Sequence, residues 1–263
     1  MLTLENIGIT FNIGTPDENT ALKNINFTIN QGDFITVIGS NGAGKSTLYN
    51  VISGNLAPTE GKVLLNGKDI TNEPEYKRAF YIGRIFQNPL SGTAGKMTLQ
   101  DNMMICCRKG WKGLRISLNK KMQAYFKEEV SKLGMGLENR LTDNMNQFSG
   151  GQRQAVTLLM AVMSKPSLLL LDEHTAALDP VNAAVVMDLT RKFAEEYNLT
   201  VMMVTHNMQQ ALDYGNRLFM MDGGELILDI SGEEKKRLTT EDLGNRFKEI
   251  KKRSMTNDQM VLQ

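Results

Sequence analysis

The sequence is poor in the features that mark secreted and membrane-spanning proteins. It has 2 cysteines, Cys106 and Cys107, which are adjacent and cannot form a disulfide framework. The longest apolar runs, around residues 167–171 and 201–204, fall far short of the ~20 residues that a membrane-spanning helix needs. The first residues, MLTLENIGIT, lack a charged segment followed by an apolar one. We therefore expect a chain that stays in the reducing cytoplasm and reaches a membrane only through partners.

Neither sign of charge dominates. The 263 residues include 30 Lys and Arg and 29 Asp and Glu, and 41% of the residues are hydrophobic. This composition is typical of a folded globular protein, and it excludes a globally basic nucleic-acid binder and an acidic tail protein. The length allows one large core, or a core with a subdomain. We expect no nucleic acid among the partners.

Residues 34–50, FITVIGSNGAGKSTLYN, predict a phosphate-binding loop between an apolar strand and a helix. They fit G-x-x-x-x-G-K-[ST], a loop that aims backbone amides and a helix N-terminus at one anion. A side chain at Gly42 or Gly44 would crowd the phosphate. Lys45 should reach the β- and γ-phosphates, and Ser46 Oγ should bind Mg²⁺. The predicted ATP contacts of the loop are Ser40, Asn41, Gly42, Ala43, Gly44, Lys45, Ser46 and Thr47.

The residues before this loop alternate apolar and polar side chains. Residues 2–11 and 20–29 therefore predict antiparallel strands with one face exposed to water, and residues 63–67 predict a further hairpin turning at Asn66-Gly67. Phe11 ends the first strand, where its ring is placed to stack on adenine. A half-buried strand aromatic is an equally good interpretation of Phe11 from the pattern alone.

A continuous apolar strand at residues 167–171 ends in Asp172 and Glu173. Such strands lie inside parallel sheets, and ligands bind at their carboxyl ends. Two solvent-facing acids of no function are an unfavoured alternative directly after a buried strand. We predict that Asp172 holds Mg²⁺ through water and that Glu173 orients and polarises the attacking water.

Two further side chains follow apolar strands. Gln87 comes after YIGRIF, and its amide can touch both Mg²⁺ and the attacking water only if that strand lies beside the phosphate loop. His206 follows residues 201–204. A lone histidine at a strand end is more often structural than catalytic, but this one is predicted at the same sheet edge as Asp172.

Residues 98–163 predict helices that begin at Thr98, Asn119 and Ser149. Ser149 and Gln152 have the spacing of a capping box, and the two glycines between them leave the first amides of that helix unobstructed. The helix N-terminus therefore suits an anion, although an ordinary cap explains the same residues.

A basic segment surrounds Trp111, the only tryptophan. We favour a solvated loop, with a surface facing lipid headgroups or a membrane partner as the alternative. Its cations are Arg108, Lys109, Lys112, Arg115, Lys120 and Lys121.

The last third of the chain predicts a helix over residues 181–197 with Pro180 in its first turn, a hairpin joining residues 218–221 to 226–230, and a surface helix over residues 240–252.

In this order, the motifs resemble those of the ATP-binding subunit of ABC transporters over residues 2–247. Two departures are visible: Phe148 opens the signature where the family usually has Leu, and His174 stands where many members have Pro. The matching motifs are the Walker A GSNGAGKS at 39–46, the Q-loop Gln87, the signature FSGGQ at 148–152, the Walker B LLLLDE ending at Glu173, the D-loop Ala177-Leu178-Asp179 and the switch histidine His206.

The resemblance implies an α/β fold, with a P-loop NTPase (RecA-like) parallel-sheet core, an N-terminal antiparallel β subdomain and an inserted α-helical subdomain. Residues 1–89 and 164–232 would form the nucleotide-binding core, 90–163 the helical signature subdomain and 233–263 a C-terminal helical tail.

The resemblance also implies how ATP is used. Two subunits, identical or homologous, would sandwich two MgATP in a head-to-tail dimer and hydrolyse them. The implied catalytic residues are Lys45, Gln87, Glu173 and His206; the Mg²⁺ ligands are Ser46, Gln87 and Asp172; and the contacts made in trans are Ser149, Gly150, Gly151, Gln152 and Asp179.

The stretch LDEHTAALDP, with IGRIFQNPLSGTAGKMT, looks closest to a bacterial group of importer ATPases placed beside a lipoprotein receptor and a permease. Some of that group look tied to amino acids such as tryptophan. The implied function is ATP-driven import of a small solute at the cytoplasmic face of the cell membrane, with closure passed to the permease through residues 87–97.

Two rival classes remain. A soluble ABC ATPase, such as one of the iron–sulphur assembly type, would share every catalytic residue, and co-purification with a permease would distinguish it. A small-molecule kinase of the P-loop type would need an acceptor pocket and would not need the signature at residues 148–152.

Overall fold

The computed structural model describes residues 1–107 and 118–249. Trp111 and most of the predicted basic segment lie outside these residues. The chain divides into two compact units. Of the described residues, the first unit comprises Met1–Ile52, Leu56–Asn72 and residues 203–249, and the second comprises Ser53–Asn55, residues 73–107 and residues 118–202.

In chain order the strands and helices are β1 (Leu2–Phe11), β2 (Asn19–Ile29), β3 (Phe34–Gly39), α1 (Lys45–Ser53), β4 (Glu60–Leu65), β5 (Lys68–Asp69), α2 (Glu75–Arg78), β6 (Ile82–Ile85), α3 (Leu99–Cys106), α4 (Lys120–Ser131), α5 (Gly150–Met163), β7 (Leu168–Asp172), α6 (Pro180–Glu196), β8 (Val201–Val204), α7 (Met208–Asp213), β9 (Arg217–Asp222), β10 (Glu225–Ser231) and α8 (Gly232–Arg237). Two short 3-10 helices, Leu137–Asn139 and Met145–Gln147, precede α5.

An antiparallel sheet in the order β2-β1-β4-β5 opens the first unit. Leu2 and Leu4 of β1 are buried and Glu5 is exposed, as a strand with one face exposed to water requires. Asn66 and Gly67 both have positive φ, at 51° and 79°, which is the geometry of a tight hairpin turn. The predicted strands and the predicted hairpin are therefore confirmed.

Parallel pairing places strand ends of the first unit together. β3 pairs in parallel with β9, with Gly39 opposite Met221, and β10 pairs antiparallel to β9. The amide of Thr205, directly after β8, donates to the carbonyl of Val37 in β3 at 3.1 Å. The residues that follow β3, β8 and β9 therefore meet at one edge, where parallel sheets bind ligands.

In the second unit β6 pairs in parallel with β7, with Ile85 opposite Leu171. The side chains of Thr98, Asn119 and Ser149 cap α3, α4 and α5, each accepting an amide hydrogen from the first turn. This confirms the three predicted helix starts, because capping depends on local residues alone.

The chain after α8 departs from the sequence prediction. Residues 240–249 are helical, but one face is not at the surface: Leu243 is fully buried and packs with Ala211, Leu218 and Met220. Phe247 packs against the same cluster. The helix therefore completes the core of the first unit.

Over residues 1–107 and 118–249, none of the helices combines the length and the apolar character needed to cross a membrane.

Candidate active site

The phosphate loop joins β3 to α1 and is held by its own lysine. Lys45 is 7% exposed, and its ammonium donates to the carbonyls of Gly39 at 2.7 Å and Ser40 at 2.9 Å. Ser40 Oγ bonds Asp222 Oδ1 at the end of β9, at 2.6 Å. Asn41, Gly42 and Ser46 are exposed. The loop is thus braced from inside and open outward.

The two glycines of the loop are needed for different reasons. Gly42 and Gly44 have φ of 78° and 95°, a region that L side chains rarely adopt. A Cβ on Gly44 would lie 2.7 Å from the carbonyl oxygen of Ala21, whereas a Cβ on Gly42 would meet nothing within 4 Å. For Gly44, the protein itself requires glycine, in addition to any requirement of a phosphate.

His206 lies beside the loop, in the first unit. It is exposed and lines a cavity of about 160 Å³ together with Gly39 and Ser40. Thr205 fixes the backbone around His206, since its hydroxyl accepts from the Asn207 amide at 3.1 Å.

Phe11 ends β1 and is 38% exposed, so its ring is available to a ligand.

In the second unit the register of β6 and β7 brings Gln87 and the two acids to one edge. Ile85 lies opposite Leu171, so Gln87 and Glu173 each come two residues beyond a paired position. Gln87 is exposed. This pairing puts Gln87 beside the two acids, but the interpretation of Gln87 needed its strand to lie beside the phosphate loop, which belongs to the first unit. The role of Gln87 therefore remains a prediction.

Arg84 is an ion-pair partner of Asp172 that was not predicted from the sequence. Its Nη2 lies 3.3 Å from Asp172 Oδ2, and both side chains are less than 20% exposed, at 12% and 19%. Arg84 stands opposite Leu170 in the register, so Asp172 projects from the same face two residues on. The strand register is the signal that finds this pair, and the sequence alone does not supply it.

Glu173 has a backbone conformation that its residue type disfavours. Its φ is +49°, in the left-handed region. Its carbonyl accepts from the amide of Ala176 at 2.9 Å, which closes a turn after β7. Strain of this kind in a non-glycine residue costs of order 1–3 kcal/mol and persists at functional sites where the surroundings enforce it.

His174 is a structural residue. It is 1% exposed, and burial lowers its pKa to about 4. Thr190 Oγ1 donates to the Val186 carbonyl at 2.8 Å, so it accepts from His174 Nε2 at 3.1 Å. The neutral ring thus ties the segment after Glu173 to α6.

Acid should destabilise the protein through His174. The pKa of His174 is about 4 in the folded chain, below the ordinary value of 6.5. Between these pH values the ring is therefore protonated in the unfolded chain and neutral in the folded chain. The free energy of unfolding should therefore fall by up to about 3 kcal/mol as pH drops from 6.5 to 4. Urea unfolding across this range measures the slope. His174→Gln should flatten it, while His206→Gln, at an exposed position, should keep it; equal slopes in all three proteins would contradict the assignment.

The predicted signature and Asp179 lie together at a surface of the second unit. Ser149 and Gln152 form the capping box, with bonds of 3.3 and 3.0 Å. A Cβ on Gly151 would lie 2.6 Å from Asn182 Oδ1, and Asp179 accepts from the amide of Asn182 at 3.1 Å. Hydrogen bonds from the Asn182 side chain, then its backbone, lower the pKa of Asp179. Two helix N-termini therefore lie side by side, with Ser149 and Asp179 in their caps.

The predicted Mg²⁺ ligands have suitable chemistry. Ser46, Gln87 and Asp172 offer a hydroxyl, an amide oxygen and a carboxylate, the hard oxygen donors that Mg²⁺ prefers. Ser46 belongs to the first unit and the other two to the second.

Comparison with known families matches residues 22–176, more than half of the chain, to the family described as ABC transporter. A tyrosine transport ATP-binding protein of Clostridioides difficile is 40% identical over 94% of this chain and 98% of its own length. A methionine import ATP-binding protein of Enterococcus faecalis is 39% identical over 79% of this chain, which spans 59% of that longer protein.

Solved structures give the same result. A dimeric ATP-binding cassette in a post-hydrolysis state, bound to ADP and Pi, matches 88% of this chain and 98% of its own, with 29% identity and a TM-score of 0.72. CbiO1 of Clostridium perfringens, part of an ABC transporter complex, matches 92% of both chains with 26% identity and a TM-score of 0.74. The predicted fold class, a P-loop NTPase α/β core with an antiparallel N-terminal sheet and helices, is confirmed.

Proposed function

The chain belongs to the ABC transporter family of ATP-binding subunits, which are ATPases, and from that premise we propose that it powers import of a small solute, such as an amino acid, through a membrane permease. The observation that carries this proposal is the 40% identity to a tyrosine transport ATP-binding protein over 94% of the chain. The methionine import relative supports the same class of cargo.

The phosphate loop is the proposed anchor of ATP. Lys45 would exchange a loop carbonyl for the β- and γ-phosphates, and the α1 N-terminus would add its partial positive charge. Phe11 would stack on adenine. When bound through Ser46, Gln87 and Asp172, Mg²⁺ would supply neutralising charge at the β- and γ-oxygens. Family membership supports these roles.

Hydrolysis is proposed to depend on three polar side chains around the γ-phosphate. Glu173 would accept a proton from, and orient, the attacking water, and Gln87 would hold that water. His206, on the cavity wall beside Gly39 and Ser40, would contact the γ-phosphate. The left-handed backbone of Glu173 supports a dedicated position for its carboxylate.

Two copies, or this chain and a homologue, are proposed to close head-to-tail around two MgATP. The helix end at Ser149–Gln152, which is exposed at Ser149 and Gly150 and has Asp179 beside it, would face the γ-phosphate of the other subunit. Cleavage would remove the bridge, and the dimer would relax. The dimeric cassette among the structural neighbours supports this assembly.

We also propose the subdomain division that the resemblance implies: residues 1–89 and 164–232 as core, 90–163 as helical signature subdomain and 233–263 as tail.

An extracytoplasmic lipoprotein is the proposed source of cargo, and the permease would hold the subunit at the cytoplasmic face of the membrane.

A groove in the second unit supports the proposed permease contact. It has a volume of about 460 Å³ and is lined by Tyr76, Phe80, Phe86 and Ile105, with Gln87 directly after Phe86 in sequence. Tyr76 and Phe80 are 68% and 53% exposed. A groove lined by exposed aromatic side chains fits a protein partner, and its adjacency to Gln87 would link docking to hydrolysis.

Removing the aromatic groove residues should break permease binding and spare hydrolysis. A tagged Tyr76→Ser/Phe80→Ser variant, expressed together with the permease of its transporter, should co-purify at least about tenfold less permease, because aromatic side chains dominate interface energy. ATP hydrolysis by the isolated variant should stay within about twofold of the parent, since neither ring belongs to the phosphate machinery.

Tyr125→Ser, which removes an exposed aromatic elsewhere in the same unit, is the matched control and should retain the permease. Failure of the parent to capture any permease would instead favour the soluble ABC ATPase.

A further inference from the structure

Gln154 connects two segments that carry proposed hydrolysis residues. It lies in the second turn of α5 and is 0% exposed. Its Nε2 donates to the carbonyl of Phe86 at 3.3 Å and to the carbonyl of His174 at 2.7 Å. Phe86 immediately precedes Gln87, and His174 immediately follows Glu173. One amide nitrogen therefore holds together the Q-loop and the end of the Walker B segment.

The orientation of this amide is fixed by its acceptors. Turning the amide over would direct its oxygen at two carbonyl oxygens, so the nitrogen must face them. The other end, Oε1, is buried and has no hydrogen-bond partner among the described residues. An unsatisfied buried oxygen reduces stability. The donation to the carbonyls of Phe86 and His174 is therefore the contact that explains a glutamine at this position.

The segment after Glu173 is held from two helices at once. α5 reaches the His174 carbonyl through Gln154, and α6 reaches the His174 ring through Thr190 at 3.1 Å. These two attachments act on the residue directly after the left-handed Glu173. Packing and hydrogen bonds of this kind are what keep a disfavoured backbone conformation in place.

We propose that Gln154 is a positioning residue, which sets Gln87 and Glu173 according to the placement of the signature helix. The inference rests on the proposed function, in which the N-terminus of α5 binds a γ-phosphate across the dimer. Since α5 carries both Ser149 and Gln154, a shift of the helix on closure reaches both carbonyls through one amide. The Phe86 bond is the longer and yields more readily.

The test replaces Gln154 with methionine, which keeps the length and volume of the side chain and removes both donations. We expect kcat for ATP hydrolysis to fall at least tenfold. The KM and the ATP dissociation constant should stay within about twofold of the parent, because the phosphate loop lies in the first unit and both bonds of Gln154 lie in the second. A role in stability alone would not lower kcat while leaving ATP binding intact.

Thr36→Val is the matched control. Thr36 is 0% exposed in β3, and its hydroxyl donates to the Ala211 carbonyl at 2.7 Å. This variant also loses a buried bond to a backbone carbonyl, so its melting temperature should fall while its kcat should stay near that of the parent. A Gln154→Met protein with kcat no lower than Thr36→Val would overturn the positioning role.

Gln154→Leu is the second variant and keeps the claim testable if the methionine protein does not fold. Leucine has a similar volume but no hydrogen-bond donor for either carbonyl, so kcat should again fall; unchanged kcat would overturn the proposal. Glu173→Gln, measured in parallel, separates the proposed function from the positioning role of Gln154. If Glu173→Gln leaves hydrolysis intact, the proposed function of Glu173 is wrong. If Glu173→Gln abolishes hydrolysis while the Gln154 variants have parental kcat, only the positioning role of Gln154 is refuted.

Discussion

Replacing Glu173 with glutamine should give a protein that binds MgATP, forms a stable dimer with it and hydrolyses it at least about 100-fold more slowly, the usual size of a general-base contribution. Glutamine preserves the size of the side chain, and the turn closed by the Ala176 amide uses only the backbone of residue 173. What is lost is the negative oxygen that accepts a proton from water. ATP then persists as the bridge between subunits, and the closed dimer accumulates.

Phosphate release measures the rate of hydrolysis, and size-exclusion chromatography with and without MgATP measures dimer formation. Glu138→Gln is a suitable control, since Glu138 is also a half-buried acid of the second unit and belongs to no motif. It should hydrolyse ATP at the parental rate. A Glu173→Gln protein that elutes as a monomer in MgATP would refute the sandwich dimer.

The sequence predicted best those features that depend on neighbouring residues. Helix starts at Thr98, Asn119 and Ser149 were found because a capping side chain and its amide are three residues apart. The hairpin at Asn66-Gly67 was found because those residue types accept positive φ. Such signals need no knowledge of tertiary structure.

Short elements were missed for the opposite reason. The helices α2 and α7 have 4 and 6 residues, too few for a periodic apolar face. Burial of Leu243 likewise depends on a distant cluster that includes Leu218, and a charged segment gives no sign of it. In each case tertiary packing decided the outcome.

The same difference between local and tertiary features holds for the candidate site. Its motif residues could be listed from the sequence, but the contacts that place them could not. Arg84 reaches Asp172 only through the register of two strands. Gln154 reaches Phe86 and His174 across separate elements. The residue type of Glu173 gave no sign of its left-handed backbone, because glutamate disfavours that conformation.

Replacing Lys45 with methionine should lower ATP hydrolysis by about 100-fold or more. The substitution removes a preorganised positive charge that would stabilise the negative charge developing on the γ-phosphate. The structure adds a second effect. The Lys45 ammonium braces the carbonyls of Gly39 and Ser40 in a site that is 7% exposed, and methionine leaves both carbonyls without that donor. The empty loop should therefore be less stable by about 1–3 kcal/mol.

The two effects can be separated by temperature and by a matched lysine. ATP binding by calorimetry, well below the melting temperature of the variant, should show at least about a tenfold loss of affinity even where the loop is folded. Lys132→Met removes a lysine of the second unit that bonds Glu129 and Tyr197 at 2.9 Å. That control should lose some stability and keep hydrolysis. If Lys45→Met retained parental affinity for ATP, the ammonium would serve only as the internal brace seen in the structure, and the proposed phosphate contact would be wrong.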